Sequence, residues 1–188
     1  MNIVKRALDI CLKPRETFIE IEREKDSFAA LYRDYILWLA ALPPLVKLVV
    51  GLFLHPRSGD LAGGRLAATL TGALLEYICF LVGVYALALA VDALAPYFGG
   101  ERDEDRALRL CAYGLTPSYL ASAVGALPGL AWTAILGIYS IVLIVIGLPR
   151  LMRCADDRAL PYGASVAVAM AVIALVTSLL TSRVLAQP

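Results

Sequence analysis

Apolar positions in this chain come in long blocks and not at a short period. From Leu110 to Pro149, forty residues pass without an Asp, Glu, Lys, Arg or His, too long a run for the core element of a small soluble domain. Pro128-Gly129 near its middle predicts a tight turn, so the run reads as two membrane-crossing helices, about 107–124 and 132–148. Thr116-Pro117 breaks the first of them. Three more blocks, about 35–54, 66–95 and 162–182, complete a set of five. Twenty residues rising 1.5 Å each give about 30 Å, the thickness of a hydrocarbon core. The block 35–54 holds Pro43-Pro44 at its centre, which predicts a kink with freed carbonyls facing protein or water. Tyr32, Tyr35 and Trp38 at its start match an aromatic belt. The block 66–95 is longer than one crossing needs and must tilt or protrude.

Before the first block, residues 2–13 separate on a helical wheel. Asn2, Lys5, Arg6, Asp9 and Lys13 share one wedge, and Ile3, Val4, Ala7, Leu8, Ile10, Cys11 and Leu12 fill the rest. Such a helix either lies on anionic cytoplasmic lipid or packs its apolar face on its own bundle. Pro14 ends it and opens a second helix, Arg15 to Lys25, with charges of alternating sign and an apolar pair, Phe18 and Ile21. Asp26-Ser27 is a cap before Phe28. The expected fold is therefore an all-α membrane protein: an amphipathic segment at 1–33, of one or two short helices, and a five-span bundle at 34–188.

Counting Lys and Arg outside the apolar runs, with Arg109 at the mouth of the block 107–124 taken with the segment before it, gives seven, two, three, none, three and one. High and low counts alternate at every crossing, as the positive-inside rule requires for an inner-membrane protein with its N-terminus in the cytoplasm and its C-terminus outside. Four or six crossings would break that alternation.

Composition supports the membrane and removes other classes. The 188 residues are 60% hydrophobic and 18% charged, with mean hydropathy +0.75, whereas soluble domains carry about a quarter charged residues. A net charge of +1, with no basic stripe, leaves no handle for nucleic acid. Four scattered cysteines and a single histidine, His55, in the turn after the first block, make neither a disulfide framework nor a zinc set. The acidic loop GERDEDR and Asp156-Asp157 lack EF-hand spacing and are interleaved with arginines, so no metal and no cofactor is expected. Motifs of nucleophilic, zinc or phosphate chemistry are missing, which argues against an enzyme.

Apart from Arg109 at the mouth of its block, the charged groups inside the blocks are Lys47, Glu76 and Asp92. Each costs roughly 2.5–3.5 kcal/mol to insert, so each is a candidate for function. Lys47 lies eight residues before His55 and Glu76 eleven after Arg65, about 12 and 16 Å from the same face, so the two can pair across neighbouring helices. That pair is either a polar site for a proton, cation or lipid headgroup, or a structural bridge fixing helix register. Asp92, near the cytoplasmic end, is expected to reach the interface or Arg150. The hydroxyls of Tyr113, Thr116, Tyr119 and Tyr139 suit packing and interhelical hydrogen bonds.

Several stretches resemble the Yip1 domain family of five-span membrane proteins. They are LKPRETFIEI, then Ala112, Tyr113, Thr116, Pro117, Pro128-Gly129, Tyr139 and Gly147 to Pro149, and finally ADDRALPYGASVAV. The resemblance implies a non-enzymatic protein that acts by self-association or by binding a protein partner or lipid, in membrane organisation or trafficking. Eukaryotic relatives bind Rab GTPases through a chain with a long polar N-terminal region, where this chain has only about 30 residues before its first block. Small residues along the last block (Gly163, Ala164, Ala167, Ala171, Ala174) suit close helix approach, with a dimer as the expected assembly. The alternative is a small transporter or channel with Lys47 and Glu76 in its path.

Overall fold

The computed structural model describes residues 3–23, 28–53 and 64–185. The Asp26-Ser27 cap and His55 lie outside the described residues. Every regular element described is helical. Two short amphipathic helices, α1 (Ile3–Leu12) and α2 (Pro14–Arg23), precede α3 (Phe28–Leu31), a π-helical turn (Tyr32–Ile36) and α4 (Leu37–Phe53). Then come α5 (Gly64–Leu94), a 3₁₀ turn (Ala95–Phe98), α6 (Glu104–Gly114) and α7 (Thr116–Gly125). A 3₁₀ stretch (Ala131–Ile138) leads into α8 (Tyr139–Leu151), and α9 (Asp156–Leu185) ends the bundle.

Four stretches among the described residues are long and apolar enough to cross a membrane: Ala29–Gly51, Ala67–Phe98, Ala131–Leu151 and Asp156–Arg183. The block 107–124 is instead two helices joined at Leu115. Pro117 has no amide hydrogen to give to Tyr113, so the first helix stops at Gly114 and the second opens with Pro117 in its first turn. The first also begins earlier than its hydropathy suggests, because Asp103 caps it by accepting the Arg106 amide at 3.0 Å.

The double proline is accommodated within one helix, and two other expectations change. α4 stays helical through Pro43 and Pro44, and the irregular turn lies before it, at Tyr32–Ile36. The carbonyls that the prolines leave without intrahelical partners belong to Leu39 and Ala40, both buried in protein. Of the expected aromatic belt only Trp38 points outward; Tyr35 is fully buried and the Tyr32 hydroxyl donates to the Leu81 carbonyl. The polar link after α8 is also short. α9 already starts at Asp156 and carries Pro161 within it, because Asp156 and Asp157 favour the positive end of the helix dipole.

The core gathers where α2, α6, α8 and the adjoining ends of α5 and α9 meet, around Phe18, Leu108, Leu110, Leu143, Ile144 and Tyr162. α2 is part of it. At Gly147 on α8 a Cβ would overlap Leu110 and stand 2.8 Å from the Phe18 ring, so the absent side chain is what admits α2. Gly129, with φ +81°, turns the chain from α7 into the 3₁₀ stretch that packs back along it.

Candidate functional site

Lys47 and Glu76 lie on adjacent antiparallel helices, and the structure joins them: Lys47 Nζ donates to Glu76 Oε1. The Glu76 side chain is 15% exposed and that of Lys47 is 48% exposed. They are not sealed in the core. Both line a cavity of about 640 Å³, with α5 as its floor, α4 and α7 as one wall and α9 as the other. From α5 it takes Thr69, Gly72, Ala73, Glu76, Phe80, Gly83 and Leu87, one face at helical spacing. The opposite face of α5, with Leu70, Leu74, Ile78 and Val82, points outward.

The cavity is graded in polarity. Lys47, Glu76, Thr69, Thr177, Ser178 and Thr181 gather where α4 ends, α5 begins and α9 ends. Leu87, Leu115 and Met170 close the other end. Small side chains at Gly72, Ala73 and Ala174 keep the space open. Ser118 and Tyr119 hold α7 in place. Ser118 bonds Ser140 on α8 at 2.7 Å and the Gly137 carbonyl at 3.1 Å, and the Tyr119 hydroxyl reaches the Phe80 carbonyl at 3.4 Å.

Asp92 is elsewhere, and its partner is Arg102, not Arg150: Arg102 Nε donates to Oδ2 at 3.1 Å. The residues after α5 fold straight back, which brings Arg102 to Asp92, while Arg150 is exposed on α8. Asp92 Oδ1 is buried without a hydrogen-bond partner among the described residues. Around it the acidic loop becomes a junction. The Glu101 amide donates to the Met152 carbonyl at 2.9 Å, and its carboxylate pairs with Arg153 at 2.9 Å and Arg106 at 3.5 Å. These carboxylates are engaged by arginines. Cys154, in the short link between α8 and α9, has its thiol pKa raised, by burial and then by the negative charges of Asp156 and Asp157, against an opposing backbone hydrogen bond.

The residues that carry the resemblance form packing joints. Tyr35 and Thr116 share a buried hydrogen bond of 2.7 Å, and the Tyr35 and Tyr113 rings lie 4.7 Å apart, with the Arg6 guanidinium 5.8 Å from the centre of Tyr113. Tyr139 donates to the Cys11 carbonyl at 3.0 Å, fastening α1. Pro43 and Pro44 are buried, Pro117 opens α7, Gly147 seats Phe18, and Pro149 sits within the last turns of α8. Sequence reading passed over the hydroxyls of α9. Thr177, Ser178 and Thr181 were legible as one face by their spacing, but nothing in the sequence aimed that face at Glu76.

The family model described as Yip1 domain matches residues 8–178, from within α1 to near the end of α9. No curated protein and no solved structure matches the chain.

Proposed function

Because the chain belongs to the Yip1 domain family, we propose that this integral, multi-pass membrane protein is a non-enzymatic organiser of the membrane, holding an amphipathic helix on the cytoplasmic lipid surface. One observation carries the reading. α1 is fastened to the bundle by Ala7 and Ile10, yet turns Leu8 (53% exposed) and Leu12 (75% exposed) outward beside Lys5 and Lys13. An apolar ridge with flanking cations is what an anionic lipid surface covers. The test is a fluorophore on Leu8→Cys, in protein free of other cysteines and reconstituted with anionic lipid. Quenching by spin-labelled chains is expected; emission of a water-exposed dye would end the proposal.

Placement in a bacterial inner membrane with the arginine-rich junction inside is supported by Arg102, Arg106, Arg109, Arg150, Arg153 and Arg158 at that end. Five crossings are supported by the course of α6 and α7. They leave the junction, where Glu101 meets Met152, and reach the far end of the α8 stretch, where Thr133 Oγ1 lies 3.5 Å from the Ala121 carbonyl. Self-association is supported by α9, whose Val168, Val172, Leu175 and Leu179 face outward. Dimers are expected on crosslinking in native membranes, and monomer alone speaks against them.

A second reading, transport of a cation, proton or lipid, is favoured by the cavity that reaches Glu76. It requires a flux in liposomes that Glu76→Gln abolishes. Absence of flux for every ion and lipid tried retires it.

A further inference from the structure

We infer that the cavity between α4, α5, α7 and α9 is a binding site for one zwitterionic phospholipid of the phosphoethanolamine class, its ammonium on Glu76, its phosphate on Lys47, and one acyl chain running toward Leu87 and Met170. This site is independent of the surface helix α1.

Shape and polarity set the ligand class. About 640 Å³ falls within the roughly 300–1,000 Å³ of small-molecule pockets, enough for a headgroup and part of one chain. The polar end lies six residues, about 9 Å, from the end of α4 and beside the last turns of α9, so the cavity's polar groups sit toward one end of the bundle. The apolar end lies deeper. That gradient is the profile of an amphiphile entering from one leaflet. α4 and α9 each pack along α5 and make little contact with one another, so the space between them is a lateral way in from the bilayer.

Charge sets the headgroup. Both signs meet at one point of the wall, so a purely anionic head would face Glu76 and a purely cationic one Lys47. A zwitterion satisfies both. The Lys47 ammonium has three donors and the Glu76 carboxylate two oxygens, so the pair can stay closed while Lys47 reaches phosphate and Glu76 accepts from the ligand ammonium. A primary ammonium suits a carboxylate flanked by Gly72 and Ala73. A quaternary one favours an aromatic cage, and the aromatic side chains of the lining, Phe80 and Tyr119, lie further along the cavity.

The test is native mass spectrometry of the whole protein, delipidated in detergent and titrated with dioleoyl phosphatidylethanolamine, phosphatidylcholine and phosphatidylglycerol. One bound phosphatidylethanolamine is expected, about tenfold tighter than the other two, the worth of a single charge-assisted contact. Glu76→Gln should remove that preference. Ala174→Phe, which fills the cavity and leaves the ion pair intact, should lower retention of all three lipids and so covers the case in which Glu76→Gln fails to fold. Equal binding of the three lipids by the wild type, or retention that Ala174→Phe leaves unchanged, overturns the assignment. A Glu76-dependent cation flux without any retained lipid overturns it too.

Discussion

Gly147 and the Tyr35–Thr116 contact show how much of this fold rests on single atoms. Adding one methyl at Gly147 drives Cβ into Leu110 and the Phe18 ring. Gly147→Ala should therefore cost about 1–3 kcal/mol, the usual range for overpacking, read as a lower melting temperature in detergent and faster proteolysis at Arg23 as α2 lifts. Unchanged values would show that α2 does not depend on the notch. Tyr35→Phe and Thr116→Val each remove one end of a buried 2.7 Å hydrogen bond. Each should cost about 1–3 kcal/mol because a buried partner is stranded, whereas the double variant should cost less than their sum. Cys154 offers a pH test. Its raised thiol pKa favours the protonated form in the folded state, so its contribution to stability is present below the ordinary thiol pKa and lost as pH rises through the folded value. Alkylation by a maleimide, which needs the thiolate, should be slower at pH 8 in folded protein than after unfolding in dodecyl sulfate. Equal rates would refute the burial argument.

Cap and dipole signals in the sequence mark the boundaries of elements, and hydropathy alone misplaces them. Asp103 and the pair Asp156-Asp157 are polar, so a hydropathy reading gives them to loops, yet they start α6 and α9. The same residues obey capping and dipole rules, which place helix starts at them. Asp103→Ala should destabilise by roughly 1 kcal/mol, the typical worth of a cap, with faster amide exchange confined to the first turn of α6. Exchange that rises equally along α6 and α8 would instead mean that Asp103 holds the whole junction. α1 divides in a way no helical wheel resolves. Its apolar arc is wide enough to serve two surfaces, and the bundle takes Ala7 and Ile10 while Leu8 and Leu12 remain outside. The wheel gives the arc; tertiary contacts with Tyr139 and Tyr113 choose the angle.

At the scale of the molecule, α6 and α7 decide whether the termini face the same side. Four long apolar stretches alone would put both ends together, whereas a fifth crossing by the broken pair separates them. A periplasm-dependent phosphatase fused after Pro188 should be active, and one fused at the junction, after Glu101, inactive. Activity at both or neither would refute the orientation. What the sequence alone determined is the helical membrane class, the family likeness and the apolar segments, because a bilayer constrains each span locally: about twenty apolar residues must satisfy their own backbone whatever their neighbours do. It also placed Lys47 and Glu76 at matching depth, since rise per residue is fixed. Only the tertiary structure decided that Tyr35 turns inward, that Asp92 meets Arg102, and that the Lys47–Glu76 pair borders a cavity instead of a sealed core. Those outcomes depend on the rotation of each helix about its axis and on which helices become neighbours. Both are set by side-chain packing between segments far apart in the chain, a property no local pattern of residues contains.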